Sequence, residues 1–284
     1  MGEWTWRGFK VVQSLVERLP RSWAYALAVM AARLAWRFSP LARPRLEYNL
    51  KIACPELRDD PVALRRLSRL NFQNHAKAYA DLMQLPSARI EAMRPLLKVT
   101  GLENLDAARS HGRGVIMAVP HMGSWDMAGS YAGALGYRIS AVAERFPGSL
   151  NDAVVATRER FGLNVITVGR AAVRGINEAL AANHVVALLC DLEQGPGLSV
   201  NFFGRRATVP GGPAAFALKT GAALLPACQY ATAAGRYHVH LDPALAAHEG
   251  DTKETLMQRV IGRFEDFIKE RPDQWYAFRP MFSR

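Results

Sequence analysis

His121 and Asp126 stand in the segment Gly114-Val-Ile-Met-Ala-Val-Pro-His-Met-Gly-Ser-Trp-Asp126, the histidine just past an apolar run and the aspartate at the start of a helical stretch. Side chains so spaced do not stack on one helical face, which takes an offset of about three or four. A histidine on a loop and an aspartate in a first helical turn can instead fold back until carboxylate meets imidazole. The carboxylate then fixes the ring's tautomer and stabilises the imidazolium, while the other ring nitrogen removes a proton from a hydroxyl. A histidine at a strand end can also be a hydrogen-bonded structural residue, and an aspartate there can simply complement the helix dipole. The loop setting, with Gly123 and Ser124, weighs toward chemistry.

Other chemistries find less support. Ser124 lacks the Gly-x-Ser-x-Gly turn of a serine hydrolase. His75 falls on a helix and His184 opens a strand, whereas His238 and His240 share a strand face without a third metal ligand at plausible spacing. Cys54, Cys190 and Cys228 are far apart among apolar residues, which fits reduced core thiols rather than disulfides or a metal site.

The elements that must position His121 are legible from periodicity. Short β-branched runs recur at 115–119, 139–143, 165–168, 185–190, 200–203, 223–228 and 237–241, with helical stretches at 125–135, 150–161, 171–182 and 212–220. Alternation of this kind predicts an α/β fold: a central, mostly parallel or mixed sheet of about seven strands flanked by helices. Sites in such sheets form beyond the carboxyl ends of the strands, where His121 lies. Residues 1–95 read instead as a helical, membrane-associating region ahead of an α/β core at 96–284. Its helices are expected at 4–19, 22–38 and 61–84, with Pro40 and Pro44 closing the second.

Of the formal charge of +11, residues 1–100 carry a net +9. Cations alternate there with large apolar side chains: Trp4, Trp6 and Phe9 beside Arg7 and Lys10, then Trp23, Leu27, Met30, Leu34, Trp36 and Phe38 beside Arg21, Arg33 and Arg37. Such helices lie in an interface, with aromatic rings at headgroup depth and cations toward water. Nucleic-acid recognition motifs are not visible, so an anionic membrane surface is the expected partner. The apolar stretch at 23–38 is broken by Arg33 and Arg37, shorter than a membrane span and unlike a cleaved signal, which places the chain on the cytoplasmic face of the plasma (inner) membrane.

The His121-x4-Asp126 pair with its flanks, Pro-His-Met-Gly-Ser-Trp-Asp-Met-Ala-Gly, resembles the hallmark of the glycerolipid acyltransferase superfamily. It looks like the bacterial branch that includes the late lipid A acyltransferases and the phosphatidylinositol mannoside acyltransferases. Three further blocks resemble that branch in order: residues 144–162, residues 190–213 with Asp191-Leu-Glu193-Gln-Gly-Pro-Gly and Asn201-Phe-Phe-Gly204, and the tail Arg271-Pro-Asp-Gln-Trp-Tyr276 with Arg279. Lipid A members often carry Glu where this chain has Asp126, which favours the mannoside-type relatives.

The resemblance implies His121 as general base, Asp126 as its partner and Glu193 as a further catalytic acid. It implies Arg145, Arg158 and Asp191 as substrate-binding residues. A fatty-acyl thioester of coenzyme A or acyl carrier protein would be the co-substrate, with no metal and no further cofactor. The acceptor would be a glycolipid such as a phosphatidylinositol mannoside; lipid A or a phospholipid is the alternative. A non-enzymatic basic protein that binds membranes or nucleic acid is the rival outside this class.

Overall fold

In the computed structural model, which describes residues 12–145, 150–193, 195–232, 235–246 and 248–282, the β-branched runs become strands. These are β1 (Leu97–Thr100), β2 (Val115–Val119), β3 (Ile139–Ala143), β4 (Leu163–Thr167), β5 (Val185–Leu189), β6 (Leu198–Phe202), β7 (Arg205–Val209), β8 (Ala223–Ala231) and β9 (Tyr237–Leu241). Seven of them form one sheet in the order β1-β9-β8-β2-β5-β3-β4. Every neighbouring pair in it is parallel except β8 and β9. The expected mixed α/β sheet is therefore present, with two changes of membership. The run at 200–203 belongs to a separate antiparallel hairpin of β6 and β7, and the four-residue β1 takes an edge of the main sheet. The hairpin turns at Phe203 and Gly204, both at positive φ (52° and 73°), the twist that a two-residue turn needs.

The helices of nine residues or more among the described residues are α1 (Arg21–Phe38), α2 (Ala42–Ala53), α3 (Pro61–Gln84), α4 (Leu102–Ser110), α5 (Trp125–Ala134), α6 (Leu150–Arg160), α7 (Arg170–Ala181), α8 (Gly212–Thr220) and α9 (Lys253–Glu270). Asp60 starts α3 by accepting the backbone N–H groups of Val62 and Ala63, and Pro61 occupies a position whose N–H has no helical partner. A reciprocal pair, Thr252 and Thr255, starts α9. Pro44 does not keep residues 42–53 out of a helix, because it sits in the first turn of α2, where a missing N–H costs little. The first expected helix lies partly outside the described residues, of which 12–18 are helical.

Helix α1 packs along α3, and a buried polar cluster ties both to the sheet. The Arg21 guanidinium donates to Asp81 Oδ1 at 3.1 Å, Tyr25 Oη at 2.6 Å and Tyr237 Oη at 2.6 Å, and Tyr237 also bonds Asp81 Oδ2. On its outer side α1 exposes Trp23, Leu27, Met30, Leu34 and Phe38, an apolar stripe at helical spacing. No helix among the described residues is long and apolar enough to cross a membrane.

Candidate active site

Strands β2 and β5 run side by side with Val119 opposite Leu189, so the same register two residues on sets His121 beside Asp191. Cys190 N–H extends the ladder to Val119 O at 3.1 Å. His121 Nδ1 lies 2.6 Å from Asp191 Oδ1, which also accepts the His121 backbone N–H at 2.9 Å. The other carboxylate oxygen accepts Trp275 Nε1–H at 2.8 Å. Asp191 is fully buried, and these three donors replace the water it has lost. An ionised carboxylate only accepts, so Nδ1 carries the proton and Nε2 is left with its lone pair free to act. Among the described residues nothing hydrogen-bonds Nε2.

The loop bearing His121 is pinned from two directions. Gln229 on β8 donates to Met122 O at 2.8 Å, while the tail contributes Tyr276 N–H to His121 O at 2.8 Å and Gln274 O to Gly123 N–H at 3.3 Å. Gly123 has φ of 59°, and a Cβ there would come within 2.5 Å of Gln229 O, so only glycine fits. Asn71 of α3 in turn holds Trp275 O at 2.7 Å.

Asp126 does not meet His121. Its carboxylate accepts Arg158 Nε–H of α6 at 2.7 Å, with the two side chains 9% and 7% exposed. The physical reason is that the first turn of α5 directs Asp126 toward α6, where a buried guanidinium requires a counter-charge. The contact expected of Asp126 is made by Asp191, the residue assigned from sequence to substrate binding. Arg158, committed to Asp126 and buried, is not presented to a phosphate. Arg145 is exposed at the end of β3, and Glu193 is exposed on the loop after Asp191 without a bond to His121. Tyr230 and Thr100 hold His238, and Thr100 and Asp242 hold His240, in a hydrogen-bonded chain. All three cysteines are free and buried, and no group of metal-ligating side chains occurs among the described residues.

His75 lies on α3, the helix expected for it, but its surroundings are set by tertiary packing. Its ring packs against Tyr79, Tyr276 and Phe278 at centroid distances of 4.9, 4.6 and 4.8 Å. Burial, reinforced by His121 nearby, pushes its pKa down to about 4. The unfolded chain takes up this proton below about 6.5 and the folded chain only near 4, so His75 stabilises the fold fully above that window and progressively less as pH falls through it. The loss is at most about 3 kcal/mol. H75Q is expected to flatten the slope of stability against pH in this window, as measured by denaturant unfolding; an unchanged slope would show that His75 is not the group responsible.

One cavity borders the His121 loop and another opens between the N-terminal helices. A trough of about 330 Å³ runs between α1 and α3, lined by Ala31, Ala32, Ala35, Phe72, Ala76 and Phe278, with His75 and Tyr79 at one side. A second cavity of about 380 Å³ is mixed in character, with Asn74, Lys77, Ser124, Arg271 and Gln274 supplying polar groups among apolar surface. The arrangement therefore offers a candidate base, an apolar groove and a pocket of mixed polarity.

The family profile described as "Bacterial lipid A biosynthesis acyltransferase" matches residues 1–284. The chain is 30% identical over 295 residues to a phosphatidylinositol mannoside acyltransferase of Mycobacterium tuberculosis, covering 95% of this chain and 91% of that protein. It is 28% identical over 288 residues to the protein of the same name from Mycolicibacterium smegmatis, covering 99% and 92%.

Proposed function

Because the chain belongs to the bacterial lipid A biosynthesis acyltransferase family and is an enzyme transferring acyl groups to a glycolipid, we propose that it moves a fatty-acyl group from a thioester to a hydroxyl of a phosphatidylinositol mannoside. The observation that carries this reading is the His121 imidazole, proton-loaded at Nδ1 against buried Asp191 and without a hydrogen bond at Nε2 among the described residues. As the acceptor oxygen attacks the carbonyl carbon, Nε2 takes its proton, and the imidazolium then returns that proton to the departing thiolate. A thioester is already activated, so no covalent enzyme intermediate and no further cofactor is needed. Coenzyme A and acyl carrier protein are both suitable carriers.

The alanine-walled trough suits an alkyl chain, since its small side chains leave a mostly apolar groove, with His75 and Tyr79 the polar residues on its wall. The pocket of mixed polarity offers donors and acceptors, as a sugar headgroup requires. The exposed stripe of α1 would lie at headgroup depth on the cytoplasmic face of the inner membrane, so that a lipid acceptor reaches His121 without leaving the interface.

The test offers purified protein one acyl thioester and, in separate anionic vesicles, a phosphatidylinositol mannoside, a lipid A precursor or a lysophospholipid, with products read by mass spectrometry. The mannoside is expected to gain one acyl chain, and W23D/L27D is expected to lower vesicle binding and the vesicle rate together by roughly tenfold. Acylation of lipid A or lysophospholipid in preference would overturn the acceptor assignment, and unchanged vesicle binding by W23D/L27D would remove α1 from the membrane contact.

A further inference from the structure

A third, small cavity sits against the catalytic loop, walled by His75, Tyr79, Ser124, Trp125 and Asp126. His75 and Tyr79 also form one side of the apolar trough, so the two spaces share a wall. An acyl chain lying in the trough would bring its carbonyl group to this wall. One feature of the small cavity is unexplained by folding alone. Ser124 is only 2% exposed, yet its hydroxyl has no hydrogen-bond partner among the described residues and, although it occupies the N-cap of the ten-residue α5, it caps no backbone N–H. A buried hydroxyl without a partner costs about 1 to 3 kcal/mol, so a group entering the cavity that accepts from it recovers that cost. The imidazole nitrogens of His75, which solvent can reach, make no hydrogen bond among the described residues and are available to a ligand.

Resting on the acyl-transfer reading above, we infer that Ser124 and His75 hold the thioester carbonyl oxygen and the oxyanion it becomes. When the acceptor oxygen bonds to the carbonyl carbon, the C=O π pair moves onto oxygen and the acceptor proton moves to His121 Nε2. The Ser124 hydroxyl and the His75 ring N–H donate to that oxygen, and the positive end of α5 lies behind them. Collapse restores C=O, breaks the C–S bond and sends the proton from His121 to sulfur. His75 is suited to this donation because burial keeps its ring neutral near pH 7, so it offers an N–H without adding a cation beside His121. Asp126, the one carboxylate on the cavity wall, is already neutralised by Arg158 and does not repel the developing charge.

The experiment uses the full-length protein with vesicle-borne acceptor and hexadecanoyl-coenzyme A labelled with ¹³C at the carbonyl. S124A and H75F are each expected to lower kcat by about a hundredfold with little change in KM for the thioester, and H75Q, which keeps an N–H donor, to recover much of the loss. In the H121A background without acceptor, which holds the donor while turnover is slow, the bound ¹³C carbonyl stretch should lie below that of free thioester. Adding S124A or H75F should move it back. Retention of kcat within about twofold in both single variants would overturn the proposal. So would a kcat loss that leaves the carbonyl stretch unmoved. Full activity of H121A would instead sink the parent reading, whatever Ser124 and His75 do.

Discussion

H121A should abolish most acyl transfer, a loss of roughly 10² to 10⁴-fold in kcat, while folding and vesicle binding stay as in the wild type. The size follows from the role: without the imidazole, the acceptor hydroxyl must surrender its proton to water during attack. Stability should change little, because Asp191 keeps two of its three donors, the His121 backbone N–H and the Trp275 indole. The checks are the initial rate with saturating thioester and acceptor, the unfolding midpoint, and co-sedimentation with anionic vesicles. Wild-type turnover in H121A would remove His121 from the chemistry.

The second large effect separates two aspartates. D191N keeps the shape of the buried side chain but replaces one acceptor oxygen with an NH₂ group, which favours the wrong imidazole tautomer. A loss of about 10⁴-fold in kcat is the scale for such a change. Asp126 should behave differently. D126A strands the buried Arg158 guanidinium and is expected to cost about 3 to 5 kcal/mol of stability. Replacing both partners, as in D126A/R158M, should recover much of that stability because the uncompensated charge is gone. Guanidinium unfolding curves and rate measurements on folded protein check both halves. A stable, inactive D126A beside an active D191N would invert the assignment.

The position of His121 was readable because it follows an apolar β-branched run directly, and residues past a strand's carboxyl end face the site. Its partner was not readable. Asp191 is 70 positions away, and only the adjacency of β2 and β5 brings the two together. A reader who knew the sheet order could have matched the two strand ends, since Val119 pairs with Leu189. Without that order, the aspartate nearest in sequence was the natural choice.

The tail shows a similar limit. Trp275 forms part of a family-like block, but nothing in its neighbours reveals that its indole holds Asp191. His75 carries only a helical position in the sequence; its nearness to the loop arises because α3 packs on residues 272–276. The apolar stripe of α1 was readable, because helical periodicity is local. Strand β1 was not, because four residues give too little pattern, and α2 was hidden behind the prolines at its start.

The most direct measurement is the downfield proton spectrum of the ¹⁵N-histidine-labelled protein, where an imidazole N–H bound to a carboxylate resonates apart from other signals. A His121 Nδ1–H resonance is expected in the wild type and in D126A/R158M and should vanish in H121A and D191N. Its persistence in D191N, or its loss in D126A/R158M while the protein remains folded, would contradict the pairing of His121 with Asp191.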